Sequence, residues 1–241
     1  MQKLENTKGY SIILNWLTAK GFRPFQYQQE AWQHIIAGRS GLVNAPTGTG
    51  KTFSVFLGSL IQYINEHPNN YQSKAKNGLQ LIWVTPLRAL AKDIGRAMEE
   101  VIAELGMQWK VGIRNGDTSL SDRQKQKRQM PEVLIITPES LHLLLAQKHY
   151  PEVFETLKII AVDEWHELIG SKRGVQIELA ISRIVGTRSQ TSEAKGQNEL
   201  SLWGISATIG NLEQAMEVLL SPLQLFQRKN HEGVIVRAKL Q

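Results

Sequence analysis

At 241 residues, with 41% hydrophobic and 21% charged side chains, the chain is long enough for one large α/β domain and has an ordinary globular composition. No apolar run approaches the ~20 residues of a membrane helix, and the polar start carries no signal-peptide pattern, so a cytoplasmic location is expected; the absence of cysteine excludes disulfide frameworks, thiolate metal sites and cysteine nucleophiles. A net charge of +6 and a pI near 9.5 suit contact with a polyanion such as nucleic acid, and suit a solvated basic surface equally well.

In chain order, periodicity predicts a helix at 25–37, a strand at 42–45, a helix at 51–65, a strand at 79–85 and a helix at 87–105. There follow a strand at 110–114, a helix at 119–128, a strand at 133–137, a helix at 139–146 and a strand at 157–163, then a helix at 175–185, a strand at 200–206 and a helix at 212–219. This alternation is that of one doubly wound α/β domain on a mainly parallel sheet. The polar stretches 67–78 and 187–198 read as surface loops, and Gly233–Arg237 reads as one more strand. The domain is expected over 1–225 with a helical N-terminal region at 10–38, leaving 226–241 as a linker or strand toward a further domain.

Directly after the first strand comes Ala45-Pro46-Thr47-Gly48-Thr49-Gly50-Lys51-Thr52, followed by an apolar helical run, which is a P-loop in its strand, loop, helix context. Glycines let backbone N–H groups curl around phosphates, and the helix N-terminus adds its positive end. Thr47 to Thr52 would bind ATP, with Lys51 reaching the β and γ phosphates and the Thr52 hydroxyl ligating Mg²⁺. Ala45 stands where the general pattern has its first glycine.

The apolar strand ending at Val162 delivers Asp163 and Glu164 at its C-terminal end, where ligands of doubly wound sheets collect. Such a pair can divide the work of hydrolysis. Asp163 would hold Mg²⁺, and Glu164 would orient and deprotonate the attacking water.

With these two sites, the chain resembles the superfamily 2 helicases: Ala45–Thr52 fits their first motif and Asp163-Glu164-Trp165-His166 their DExH box. Gly21-Phe22-Arg23-Pro24-Phe25-Gln26 looks like the Q motif, and the resemblance implies that Gln26 reads the adenine edge. Thr85-Pro86-Leu87-Arg88 is similar to motif Ia, Gly116-Asp117-Thr118 to the Ib region, and Thr137-Pro138-Glu139-Ser140 to the next strand-contacting motif. Ser206-Ala207-Thr208 looks like motif III, which the resemblance makes the coupling element between nucleotide and nucleic acid. Each nucleic-acid motif follows a predicted strand or caps a helix, so hydroxyls and free N–H groups are expected to face the sugar-phosphate backbone. The resemblance spans 21–211 and implies a RecA-like P-loop NTPase domain. Its wording is narrowest around 162–174 and 203–211, where it is most similar to the ligase-associated DExH-box helicases, which implies a 3′–5′ DNA translocase of DNA repair with a ligase or nuclease partner.

Lone residues around these motifs read as follows. His166 is expected to link the site of Glu164 to motif III. The basic run 123–128 is expected to be a solvated helical face, and Arg173 to touch DNA or cap its loop. Trp16, Trp32, Trp83, Trp109 and Trp203 are expected in the core, and Trp165 to face the active site. The family's motor uses two RecA-like domains, and the second supplies arginines. No such motif follows Ser206–Thr208, so the chain is expected to be half a motor that binds ATP and hydrolyses it poorly alone, an arginine finger being worth roughly 10³–10⁵ in rate. Two other readings stand beside the DNA helicase: an RNA-directed DExH protein, and a nucleotide-dependent binding module without turnover.

Overall fold

The apolar runs read as strands all enter one sheet. The computed structural model describes residues 3–74, 76–195, 200–207, 209–226 and 232–238. In chain order the elements are α1 (Lys8–Ala19), α2 (Gln26–Ile36), β1 (Gly41–Asn44), α3 (Lys51–Glu66), β2 (Leu81–Val84), α4 (Arg88–Glu104), β3 (Val111–Arg114), α5 (Leu120–Arg128) and β4 (Val133–Ile136). They continue with α6 (Pro138–Leu145), α7 (Tyr150–Val153), β5 (Ile159–Val162), α8 (Trp165–Leu168), α9 (Lys172–Lys195), β6 (Ser201–Ser206), α10 (Leu212–Phe226) and β7 (Val234–Arg237).

The strands lie in the order β3-β4-β2-β5-β6-β1-β7, every neighbour parallel. Parallel strands with helices on both faces must be apolar on both sides. β2 shows this: Leu81 and Trp83 join a cluster with α1 to α4, Ile82 and Val84 a second cluster with α6, α9 and α10. Each large side chain so withdrawn contributes about 1.5–3 kcal/mol against chain entropy.

Three sequence expectations change. The loop expected from 187 is helical up to Lys195, with the Thr187 and Ser189 hydroxyls donating to the Arg183 and Val185 carbonyls one turn earlier; residues 196–199 lie outside the described set. The expected boundary at 225 falls inside α10, and Val234–Arg237 pairs with Gly41–Asn44, so that strand belongs to this sheet. Trp165 does not face the active site. It is fully buried in the second cluster, its Nε1 donating to the Ala215 carbonyl at 2.8 Å. Of the five tryptophans expected in the core, four are buried, and Trp16 lies at its margin with Nε1 donating to Glu104.

Candidate nucleotide and nucleic-acid sites

The P-loop leaves β1 at Ala45, whose amide donates to the Ser206 carbonyl at 3.1 Å. Gly48 and Gly50 adopt φ of 82° and 75°, a region side chains avoid, which lets the loop turn sharply into α3. The Thr49 hydroxyl closes the turn onto the Pro46 carbonyl at 2.7 Å, and the Tyr27 hydroxyl donates to the Thr49 carbonyl at 2.6 Å. No side chain caps α3, so its first amides remain available to an anion.

The glutamine beside this loop is Gln28, not Gln26. Gln26 is exposed, whereas Gln28 is buried, accepts from the Phe25 amide at 2.9 Å and donates Nε2 to the Gly50 carbonyl at 3.0 Å. The periodicity of α2 carries the signal for this: Gln28 shares the inward face with Ala31, Trp32 and Ile35, and Gln26 precedes that face.

Opposite, β5 delivers Asp163, 4% exposed, and Glu164, the one described non-glycine residue with positive φ, at 49°. Such backbone strain clusters at working sites. The Glu164 amide donates to Asp163 Oδ1 at 3.0 Å, and Lys51 Nζ reaches across to Glu164 Oε2 at 3.1 Å. Burial and the neighbouring Glu164 charge push the Asp163 carboxyl up to about 6, against the pull of the Glu164 amide and Lys51. Because Lys51 pairs with Glu164, the charge of Asp163 has no direct cation partner among the described residues. A buried carboxylate short of one positive charge, next in sequence to the Glu164 that Lys51 of the P-loop reaches, fits Mg²⁺, which is commonly held by one carboxylate, a hydroxyl and phosphate oxygens. No group of three or more histidine or acidic side chains suited to a metal exists among the described residues.

The link expected of His166 is not formed. Its Nδ1 lies 3.5 Å from Glu164 Oε2 without a hydrogen bond, and the Ser206 hydroxyl is likewise buried and unpartnered. What holds the end of β6 is Asn44, whose Nδ2 donates to the Ala207 carbonyl at 2.7 Å, a contact that no motif signalled. Thr208 lies outside the described residues.

On the other half of the same edge, β2 and β3 end in the 85–88 and 115–118 loops, and β4 runs through Thr137 into the first turn of α6. Their hydroxyls do not face outward as expected. Thr85, Thr137 and Ser140 are buried; Thr137 donates to Ser140 at 3.1 Å, and Thr118 Oγ accepts from the Asn115 amide at 2.9 Å. Loops this tight need those groups to satisfy their own backbone. Arg88, Gly116 and Asp117 do face solvent, Arg88 Nη1 lying 3.7 Å from Asp117 Oδ1; Pro86 and Pro138 are buried.

Two further arginines brace these loops. Arg123, within the run read as a solvated face, donates to the Thr118 and Asn115 carbonyls, while Lys125 keeps to the surface with Asp122. Arg173 donates to Glu139 Oε1 at 2.8 Å and to the Pro86 carbonyl at 3.2 Å. Burial would raise the Glu139 carboxyl, but its own amide and Arg173 outweigh burial and hold it below the usual range.

Comparison with known proteins gives consistent relatives. A family model described as DEAD/DEAH box helicase matches residues 25–215. The chain is 30% identical over 227 residues to the ATP-dependent helicase Lhr-Core of Methanothermobacter thermautotrophicus, covering 88% of this chain and 25% of that protein. It is 30% identical over 219 residues to the Lhr helicase/probable uracil glycosylase of Mycolicibacterium smegmatis, covering 87% and 14%. Among solved structures, the Mycobacterium smegmatis helicase Lhr bound to ssDNA and AMP-PNP superposes with a TM-score of 0.72 at 27% identity, over 96% of this chain and 27% of that one. The DUF1998 helicase MrfA bound to DNA gives 0.74 at 26% identity, over 94% and 29%. The chain thus spans between 14% and 29% of the length of these relatives.

Proposed function

The chain belongs to the DEAD/DEAH box helicase family, and on that premise we propose that it is the first, ATP-binding RecA-like domain of a cytoplasmic, ATP-dependent 3′–5′ DNA helicase or translocase acting in DNA repair. It would work with a second RecA-like domain on single-stranded or partly duplex DNA. The observation that carries the nucleotide part is the ion pair of Lys51 and Glu164 at 3.1 Å, which sets a P-loop lysine against the carboxylate that would activate water.

In this reading an incoming γ phosphate takes Lys51 away from Glu164, because a phosphate offers that ammonium more negative charge than one carboxylate. Glu164, freed, orients the attacking water and accepts its proton. Mg²⁺, held by Asp163 and Thr52, would neutralise charge on the phosphates. Gln28 and Tyr27 hold the P-loop in its bent form, and Gln28 would read the base. The Mycobacterium smegmatis helicase Lhr and the helicase MrfA are both bound to DNA in their solved structures, which supports the DNA side of the proposal.

ATP turnover measured with and without single-stranded DNA, single-stranded RNA or both tests it. DNA is expected to stimulate turnover at least several-fold once a second RecA-like domain is present. Stimulation by RNA alone would overturn the choice of nucleic acid, and tight ATP binding with no turnover under any condition would favour a binding module.

A further inference from the structure

A cation in the first turn of a helix opposes the helix dipole, and α9 starts with Lys172 and Arg173 and has no acidic residue in that turn. Arg173 is nevertheless kept in one geometry. Its Nε donates to Glu139 Oε1 and its Nη1 to the Pro86 carbonyl, so one planar fork spans the loop after β2 and the first turn of α6 after β4. Among the described residues no other side chain bonds both of those loops.

The base of the fork is fixed as firmly as its tip. The Ser171 hydroxyl donates to the Leu168 carbonyl at 2.6 Å and accepts from the Gly174 amide at 3.1 Å. A Cβ at Gly174 would sit 2.1 Å from that same carbonyl oxygen, so the start of α9 rests directly on the end of α8. The other oxygen of Glu139 is buried without a hydrogen-bond partner, which leaves this carboxylate compensated by Arg173 alone among side chains of the opposite sign. Released, it would place a bare negative charge between two loops that meet phosphates.

We propose that Arg173 is a positioning residue for nucleic-acid binding, which sets the 85–88 loop against the first turn of α6 and masks Glu139 without itself touching a phosphate. This rests on reading that half of the edge as the nucleic-acid interface. The test is the binding of fluorescein-labelled oligothymidylate to the chain and its variants, followed by anisotropy over a range of salt concentrations, with a fluorescent ATP analogue as control for the fold.

Arg173→Ala is expected to weaken oligothymidylate binding about tenfold at fixed salt while keeping the wild-type slope of log affinity against log salt, since no phosphate contact is lost. Arg173→Lys, which keeps the charge but not the fork, recovers part of the affinity and serves if the alanine variant fails to bind the ATP analogue. Arg173→Ala combined with Glu139→Gln is expected to bind no more weakly than Arg173→Ala alone, because the two act as a pair. Unchanged affinity in both Arg173 variants, a salt slope reduced by about 0.7, or losses that multiply in the double variant would each overturn the proposal. A wild-type chain that binds the ATP analogue but neither DNA nor RNA at any salt would instead remove the reading of the edge, and the proposal with it.

Discussion

Along the carboxyl edge of the sheet, the loops after β1 and β5 bury Lys51 and Asp163, whereas the loops after β2 and β3 leave Arg88 and Asp117 in water. Lys51 and Asp163 are 7% and 4% exposed, and Glu164 is held in a strained left-handed backbone; the Arg88 and Asp117 side chains are 50% and 78% exposed. The contrast fits the roles proposed for the two halves. A phosphoryl group is transferred through charges that act strongly only when water is excluded and geometry is preset. A strand that must slide needs contacts that are individually weak and replaceable.

The contrast ranks the expected effects of substitution, and each can break it. The largest belongs to the buried half. Glu164→Gln is expected to retain ATP binding and to lower turnover on the order of 10³-fold, and Lys51→Ala to lose ATP binding, read by fluorescent-nucleotide titration and phosphate release. Normal turnover in Glu164→Gln would move the base elsewhere.

Next comes a stability effect of opposite sign. The folded state raises the Asp163 carboxyl from 3.8 to about 6, so the folded chain holds this proton more tightly than the unfolded chain. Stability therefore gains from this group as pH falls from 6 toward 3.8, and above pH 6 the ionised group opposes folding by on the order of 2–3 kcal/mol. Asp163→Asn is accordingly expected to melt higher than wild type at pH 7.5 without Mg²⁺ and nucleotide, the gap closing as pH falls toward 4. Equal melting at both pH values would mean that the carboxylate is already compensated.

The smallest effect belongs to the open half. Arg88→Ala is expected to weaken single-stranded DNA binding only a few-fold and to reduce the salt slope by about 0.7, with ATP binding alone unchanged. A loss as large as that in Glu164→Gln would show that the open half is no more tolerant than the buried one.

Much of this was legible beforehand where a physical period repeats. Strands buried on both faces announce themselves as apolar runs, and the P-loop and the Asp163-Glu164 pair sit at strand ends where topology requires ligands. What escaped depended on direction within an element. Gln26 and Gln28 differ by two positions, and only the helical phase set by Ala31 and Trp32 tells which turns inward. Trp165 follows Glu164 in sequence, yet the left-handed residue before it turns the chain so that the indole enters the core. The partners of Arg123, Arg173 and Asn44 lie on other loops, and a single sequence holds no signal for such pairings.

The strand order also bears on how the molecule is made. β2, β3 and β4 are neighbours whose last residue is Ile136, so that half of the sheet can pair while the rest of the chain is still being synthesised. β1 and its loop are complete by residue 52, but the strands that flank β1 are β6 and β7, the last two described strands in sequence order. Pairings that span so much sequence are slow to form. The segment that will cradle the phosphates therefore waits longest for a partner, and this apolar strand is the part of a nascent chain in greatest need of protection from its neighbours.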